Sequence, residues 1–494
     1  PWCLRMWRFL TPEVTVVPED VVLPDRRGAR PRVESPAFEY REMDSMPAVG
    51  EAHQEWAAGA MRLNGEAFDG VGGHGGSVTT FSKPGGGVRF AVPPGPVHTS
   101  FTLVDPALNA TFPEWFSEDV TQLCWANESL VEYVTLRVKE CLDADPTASL
   151  ISVSQNDNQD YCNRSADWAV IQEEGSPMGP LLRAVNSIAD AIRETHPSVA
   201  VHTLAYQYTR QPPANTVPRD NVCIQLCSIE CSWAVPLDHP DNAAFMSDLL
   251  NWNNVSDRIY IWDYVVDFAN FVMPWPNYHV LAENLRIFSQ HGVKGVFEEA
   301  DYVANGGDLA ELKTYLLAKA MWNPGAVTPA EMEAHTWDFL SGYYGAAAAP
   351  EIWRYMQVFH KATQTTNFYL GENVPYTSDY LFPAAVLEGG KALEAARIVT
   401  PVGPERSRCD VASLTVRYVV LLRWDEMVAF AASNPMTWPF PETDKQSFYD
   451  EFQTIYLANG LDFSTKDPDL DSALSEWGHG LDWLCETANI ADCA

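Results

Sequence analysis

Residues Ser149–Pro177 read SLISVSQNDNQDYCNRSADWAVIQEEGSP, and the fold is read outward from them. Leu150, Ile151 and Val153 form a β-type run that breaks abruptly into Gln155, Asn156, Asp157 and Asn158. A loop is predicted next, carrying the adjacent carboxylates Glu173 and Glu174. Ser176 and Pro177 then stand as N-cap and N1 of a helix. An apolar strand that ends in amides and acids before a helix is how a β/α enzyme builds one sector of its site.

The same pattern recurs downstream. Residues 178–196 predict an amphipathic helix, with Leu181, Leu182, Val185, Ile188, Ala189 and Ile192 at helical period. Strands are predicted at 199–205, ending in Tyr206, Gln207 and Tyr208, and at 222–229, ending in Glu230. Two more fall at 258–261, ending in Trp262, Asp263 and Tyr264, and at 293–297, ending in Glu298, Glu299, Asp301 and Tyr302. Helices at 243–252, 279–291 and 309–322 separate or follow them.

Upstream, 38–42 (FEYRE), 98–103 and 121–125 are read as strands, 51–63 and 127–142 as helices, and the glycine-rich 70–87 as a surface loop. With 150–154 this gives eight strands before about residue 305, the size of a (β/α)8 TIM-type barrel. Residues 1–34 read as the remnant of a preceding β-rich segment, 35–324 as the barrel, and 325–494 as a helical C-terminal region. That region opens on a capping box at Thr328, Pro329 and Glu331, with helices through 353–363, 384–398, 411–433 and 445–457.

The 494 residues, 46% of them hydrophobic, can fill a large core; their 17 Trp, 19 Tyr and 22 Phe also suit sugar platforms, although core packing takes most of them. With 66 acidic against 32 basic residues the formal charge is −34, so nucleic acid and anionic lipid are not expected partners. There is no run of about 18 apolar residues to span a bilayer. The start at Pro1 is read as a processed or incomplete N-terminus.

Ten cysteines lie apart from any paired CxxC knuckle. Cys223, Cys227 and Cys231 are read as one buried face, and Cys485 with Cys493 as a small disulfide loop. Sequons at Asn109, Asn127, Asn163 and Asn254, with the acidic surface, point to a secreted or lumenal glycoprotein.

In a parallel barrel the residues past each strand's C-terminal end meet at one face. Asp157, Glu174, Glu298 and Glu299 are therefore the candidate catalytic acids. Asn156, Tyr206, Tyr208, Glu230, Trp262, Asp263, Asp301 and Tyr302 are candidate substrate contacts, and Arg41 is the sole cation expected near the strand ends. Phosphate or carboxylate substrates would want Arg or Lys. Carboxylates among rings suit a glycosidase, which needs an acid for the leaving oxygen, stabilisation of an oxocarbenium-like centre and faces for sugars to stack on. There is no GxSxG elbow, HExxH motif or phosphate loop, and neither metal nor cofactor is expected. His202, inside a strand, is read as a core histidine.

The ordered runs FEYRE, EWAAGAMRLNG, FPEWF, SVSQNDN, EEGSPMGPLLRAVN, LAYQYTRQPP, CSIEC, IWDYVVDFA, MPWPN, GVKGVFEEADY and ELKTYLLAKAMWNP resemble a large glycoside-hydrolase-like family of unknown function that overlaps glycoside hydrolase family 163. The resemblance covers roughly residues 8–460. It implies a barrel related to β-hexosaminidases and α-glucuronidases, and an endo-β-N-acetylglucosaminidase activity on complex N-glycans that uses the substrate's 2-acetamido group as nucleophile. By that resemblance Asn156-Asp157 takes the place of the pair that orients the acetamide and supplies the acid, with Glu174 as competitor for the acid. The loop after SQNDN keeps only Cys162 where members commonly carry more cysteines, and has a sequon at Asn163, so loop shape and substrate are open to difference.

The leading expectation is thus a retaining, substrate-assisted glycosidase on N-acetylhexosamine-containing glycans, with the pKa of Asp157 or Glu174 raised by burial or by a neighbouring carboxylate. The alternative is a non-catalytic extracellular glycan-binding or structural glycoprotein with assembly partners. A third reading, a two-carboxylate hydrolase, predicts carboxyl groups about 5 or about 6.5–9.5 Å apart.

Overall fold

The computed structural model describes residues 36–45, 48, 61, 63–65, 88–301, 305–434, 438–461 and 481–493. Readings for 1–34, most of 51–63, 70–87 and Tyr302 lie outside them. Six strands are described: β1 Tyr40–Asp44, β2 Leu150–Ser152, β3 Ala200–Ala205, β4 Val222–Cys227, β5 Ile259–Tyr264 and β6 Gly295–Glu299. They form one curled, wholly parallel half-barrel in the order β1-β6-β5-β4-β3-β2. Helices Glu128–Ala144, Met178–Ile192, Ala243–Asn253, Leu281–Gln290 and Ala310–Trp322 lie between or after the strands. All six apolar positions predicted for the second helix are buried.

Ring contacts identify the concave face. Tyr40 stacks on Tyr260 at 5.2 Å between centroids, Phe90 meets Tyr40 at 6.4 Å, and Phe90 meets His202 at 4.9 Å. Alternation along each strand then turns Glu42, Asp44, Gln225, Cys227, Trp262, Tyr264, Phe297 and Glu299 inward. Gly295 has no side chain because a Cβ there would lie 2.7 Å from the Tyr260 ring. His202, donor or acceptor to Gln225 at 2.6 Å, is fully buried, and burial lowers it to about 4, so it is a neutral core residue.

The upstream strand predictions need correction. Residues 100–103 form a helical turn, and of 121–125 only Leu123 makes a bridge, antiparallel to Phe116. Side chains explain the first. Thr99 Oγ1 donates to the Ser152 carbonyl and accepts from the Ser154 amide, each at 3.0 Å, while Ser100 Oγ donates to the Ser154 carbonyl at 2.8 Å. Hydroxyls here take the bonds a ladder would have used. Thr121 and Gln122 instead clamp Asn156.

Between β1 and β2 the chain bridges at single points. Asn64 N–H donates to the Arg41 carbonyl and Val88 N–H to the Asn64 carbonyl, both at 3.0 Å, and Phe90 bridges Leu150 in parallel. Residues 173–174, predicted as loop, end a helix, Ser165–Glu174, which Gly175 closes at φ +66°. Ser176 caps the next helix through Oγ, which accepts from Met178 N–H at 3.1 Å.

Beyond residue 325 the described elements are helical. Thr328 and Glu331 form the predicted capping box on Pro329–Tyr343. Ala349–Thr366, Pro383–Val399, Pro404–Leu422, Trp424–Ser433 and Lys445–Ala458 follow; the single helix predicted at 411–433 is in fact two, parted at Arg423. Inside this layer Arg417, fully buried, is paired with Glu394 at 2.7 Å and Glu442 at 3.2 Å.

Candidate active site

The C-terminal strand ends hold the candidate groups. Asp157, five residues past β2, is 59% exposed on its side chain, so it is not the buried acid expected from the sequence. Its Oδ1 accepts from the Tyr206 hydroxyl at 3.1 Å, and that hydroxyl accepts from Gln207 Nε2 at 2.7 Å. His98 lies opposite, its Nε2 3.9 Å from Asp157 Oδ2. His98 Nδ1 is 3.0 Å from the Gln155 carbonyl, which can only accept, so Nδ1 carries the proton and Nε2 is left to face the carboxylate. Both His98 and Gln207 are in the left-handed region at φ 51°, a backbone cost that clusters at functional sites.

Glu299 ends β6 on the concave face and is buried, with its Oε2 accepting from Trp262 Nε1 at 2.7 Å. Asp44 is its register partner on β1, and Tyr264 its register partner on β5. Cys227, at the end of β4, is buried; burial raises its pKa most, and the charges of Glu230, Glu299 and Asp157 add to the effect. Tyr208, half-buried, packs against the exposed Tyr161 ring at 5.6 Å. Glu230 sits at the rim in an ion pair with Arg210 at 2.6 Å, and Arg210 is also held by Asp248 at 2.6 Å.

Several predicted residues are placed elsewhere. Glu174 has a fully buried side chain that accepts from Arg183 Nε at 2.9 Å, Thr216 Oγ1 at 2.6 Å and the amides of Asn215 and Thr216 at 2.9 and 3.0 Å. Burial pushes it up, but these bonds outweigh burial and hold it down at about 2, so it anchors a loop and holds no proton to donate near neutrality. Glu298 and Asp263 are register partners on the convex face. Asp263 accepts from Ser228 and Trp233; the Glu298 carboxyl is buried and hydrogen-bonds to none of the described residues. Burial raises both, and each is turned away from the mouth. Asp301 is buried and raised to about 8 by desolvation; it lies in an internal group with Lys313 and Asp308. Asn156 donates from Nδ2 to the Thr121 carbonyl at 2.8 Å. Arg41 points outward, over the Trp322 ring.

Sequence reading missed Glu42, Asp44, Tyr264, His98 and Tyr161. The first three were legible in principle, since EMD and WDY alternate correctly once the strands run to Asp44 and Tyr264. His98 carried no signal, because a 57-residue separation brings it to Gln155.

The model of a domain of unknown function, DUF4838, matches residues 9–357. The chain belongs to that family. No curated protein matches this DUF4838 member by sequence. Among solved structures it is similar to a glycoside hydrolase family 138 enzyme described as targeting pectin rhamnogalacturonan II, at 9% identity and TM-score 0.38, over 87% of this chain and 78% of that one.

For a metal, the described residues of this DUF4838 chain gather one three-member set, Cys124, Cys162 and Asp167. Its two sulfurs are joined as a disulfide and offer no thiolate. A cavity of about 180 Å³ lies between the helices Leu281–Gln290, Pro329–Tyr343 and Ala349–Thr366, lined by Met332, Trp353, Met356, His279 and His360, and does not belong to the mouth.

Proposed function

We propose that this chain is a glycoside hydrolase acting on N-acetylhexosamine-containing glycans by a retaining, substrate-assisted route. The observation that carries the reading is a pair of carboxylates at C-terminal strand ends, each held by a ring: Glu299, buried on the concave face, by Trp262 Nε1, and Asp157, past β2, by the Tyr206 hydroxyl. The acetamido carbonyl oxygen attacks the anomeric carbon as the bond to the leaving glycan breaks, and the departing oxygen takes a proton. Asp157 is the proton-exchanging group, with His98 Nε2 beside it. Glu299 faces the acetamide and balances its developing positive charge. Water then opens the cyclic intermediate, and Asp157 removes its proton.

The fold proposed for this site is an eight-position barrel, with 63–65 and 88–90 as its two vestigial strands. Arg210, held by Glu230 and Asp248, supports a neutral rather than a phosphorylated substrate. Two disulfides suit an oxidising, extracellular setting, and the sequons at Asn163 and Asn254 are exposed. Among the described residues no helix is long and apolar enough to cross a membrane.

The test is digestion of a complex N-glycoprotein by the purified chain, reading released glycans by mass. Release that leaves a single N-acetylglucosamine on the protein, abolished in Asp157→Asn and Glu299→Gln, supports the proposal. No release on this and a panel of other glycans sinks it and moves the reading to a binding protein.

A further inference from the structure

The helical C-terminal region reaches the mouth through residues 369–374. Helix Ala349–Thr366 ends at Asn367 in the left-handed conformation, which turns the chain back toward the sheet. Leu370 then exchanges bonds with the loop after β4: its carbonyl accepts from Trp233 N–H at 2.9 Å, and its N–H donates to Ser232 Oγ at 3.1 Å. The Tyr369 hydroxyl donates to the Glu230 carbonyl, and Trp275 Nε1 to the Gly371 carbonyl at 3.2 Å. Past β5, Phe268 N–H donates to the Glu372 carbonyl at 2.7 Å, and Val374 N–H to Asp267 Oδ1 at 3.1 Å. Six bonds, most of them through main-chain atoms, fix the main chain that carries the half-buried Glu372, whose Oε1 accepts from Asn373 Nδ2 at 2.9 Å.

Two buried acceptors next to Tyr206 have no donor among the described residues. Gln207 binds the Tyr206 hydroxyl through Nε2, while its buried Oε1 has no partner among the described residues. Gln155, fully buried, gives Nε2 to the Tyr206 carbonyl and Thr209, and its Oε1 is likewise unpartnered there. Buried acceptors are ordinarily satisfied, so these point to a donor that the described residues do not supply. A sugar hydroxyl is such a donor.

We propose that Glu372 is a substrate-binding carboxylate contributed from outside the barrel, which with Gln207 accepts hydroxyl hydrogens of a neutral sugar ring at the Tyr206 side of the mouth. This rests on the glycan reading of that mouth. Burial raises the hydroxyls of both Tyr206 and Tyr264, and the Glu372 carboxylate adds to each, which agrees with a position between the ends of β3 and β5. Three carboxylates around one opening also disfavour a uronic or sialic acid in that position.

The experiment pairs kinetics with carboxyl labelling on the full chain. With a biantennary N-glycopeptide as probe, Glu372→Gln is expected to raise KM about tenfold while kcat changes less than threefold and Tm holds. Carbodiimide labelling with peptide mapping is expected to show Glu372 and Asp157 protected together by that glycopeptide. Turnover by wild type with Glu372 unprotected and the variant's KM unchanged overturns the proposal and leaves the glycosidase reading standing. Protection of Glu372 without turnover supports the proposal and removes the hydrolase. Protection of neither residue, without turnover, overturns both.

Discussion

Trp262 Nε1 donates to Glu299 Oε2 at 2.7 Å, and both side chains come from the concave face of neighbouring parallel strands. The bond fixes the direction of the carboxylate that the proposed mechanism sets against the acetamide. A hydrogen bond to a charged group is worth about 1.5–3 kcal/mol. Trp262→Phe keeps a ring against Phe297 and loses the donor, so kcat/KM is expected to fall about ten- to a hundredfold with the circular dichroism spectrum unchanged. Full activity in that variant would show that Glu299 needs no such guide.

Glu174 carries the second prediction, a pH dependence. Its folded-state carboxyl is held at about 2 against an ordinary 4.5, chiefly by Thr216 and Arg183 acting against burial. A depressed value stabilises the fold above the ordinary carboxylate range, and that stability is lost as pH falls from about 4.5 toward 2. The difference amounts to about 3 kcal/mol. Urea titrations of wild type and Glu174→Gln should differ by that order at pH 7 and converge near pH 2, with glycan release retained in the variant. Loss of turnover without loss of stability would restore Glu174 as the acid.

The reversal of Glu174 shows where sequence reading stops. Two adjacent acids before Ser-Pro look like a loop at a site, yet Arg183, nine residues on, and residues 215–216, some forty on, take every lone pair that matters. Strands β3 to β6, in contrast, were legible to within a few residues at either end, because their apolar runs are continuous and flanked by clear helices.

The disulfide Cys124–Cys162 supports the third prediction. It ties the turn before helix Glu128–Ala144 to the loop holding Asp157, across 38 residues. Chain entropy alone gives about 4 kcal/mol for a loop of that length. Replacing both cysteines by serine should lower unfolding stability on that order and increase amide exchange across 156–162. Unchanged exchange there would separate the bridge from the site.

Gly295 gives the fourth. A Cβ at that position meets the Tyr260 ring at 2.7–2.8 Å, beneath the stacked pair Tyr40–Tyr260. Gly295→Ala should cost about 1–3 kcal/mol through forced repacking of that floor. A variant as stable as wild type would mean that the rings have room to shift.

The sequence by itself determined the alternation of strand and helix, the long amphipathic helix after Pro177, the capping box at Thr328, and the crowding of acids and rings at strand ends. These are local properties, set by period and by neighbours within a few residues. Tertiary structure decided which of those acids face the mouth. In a strand the side-chain period is two, so Glu298 and Glu299, adjacent in sequence, lie on opposite faces, and only the register with β1 and β5 says which is which. Long-range contacts alone put His98 beside Asp157 and bring residues 369–374 to the ends of the strands.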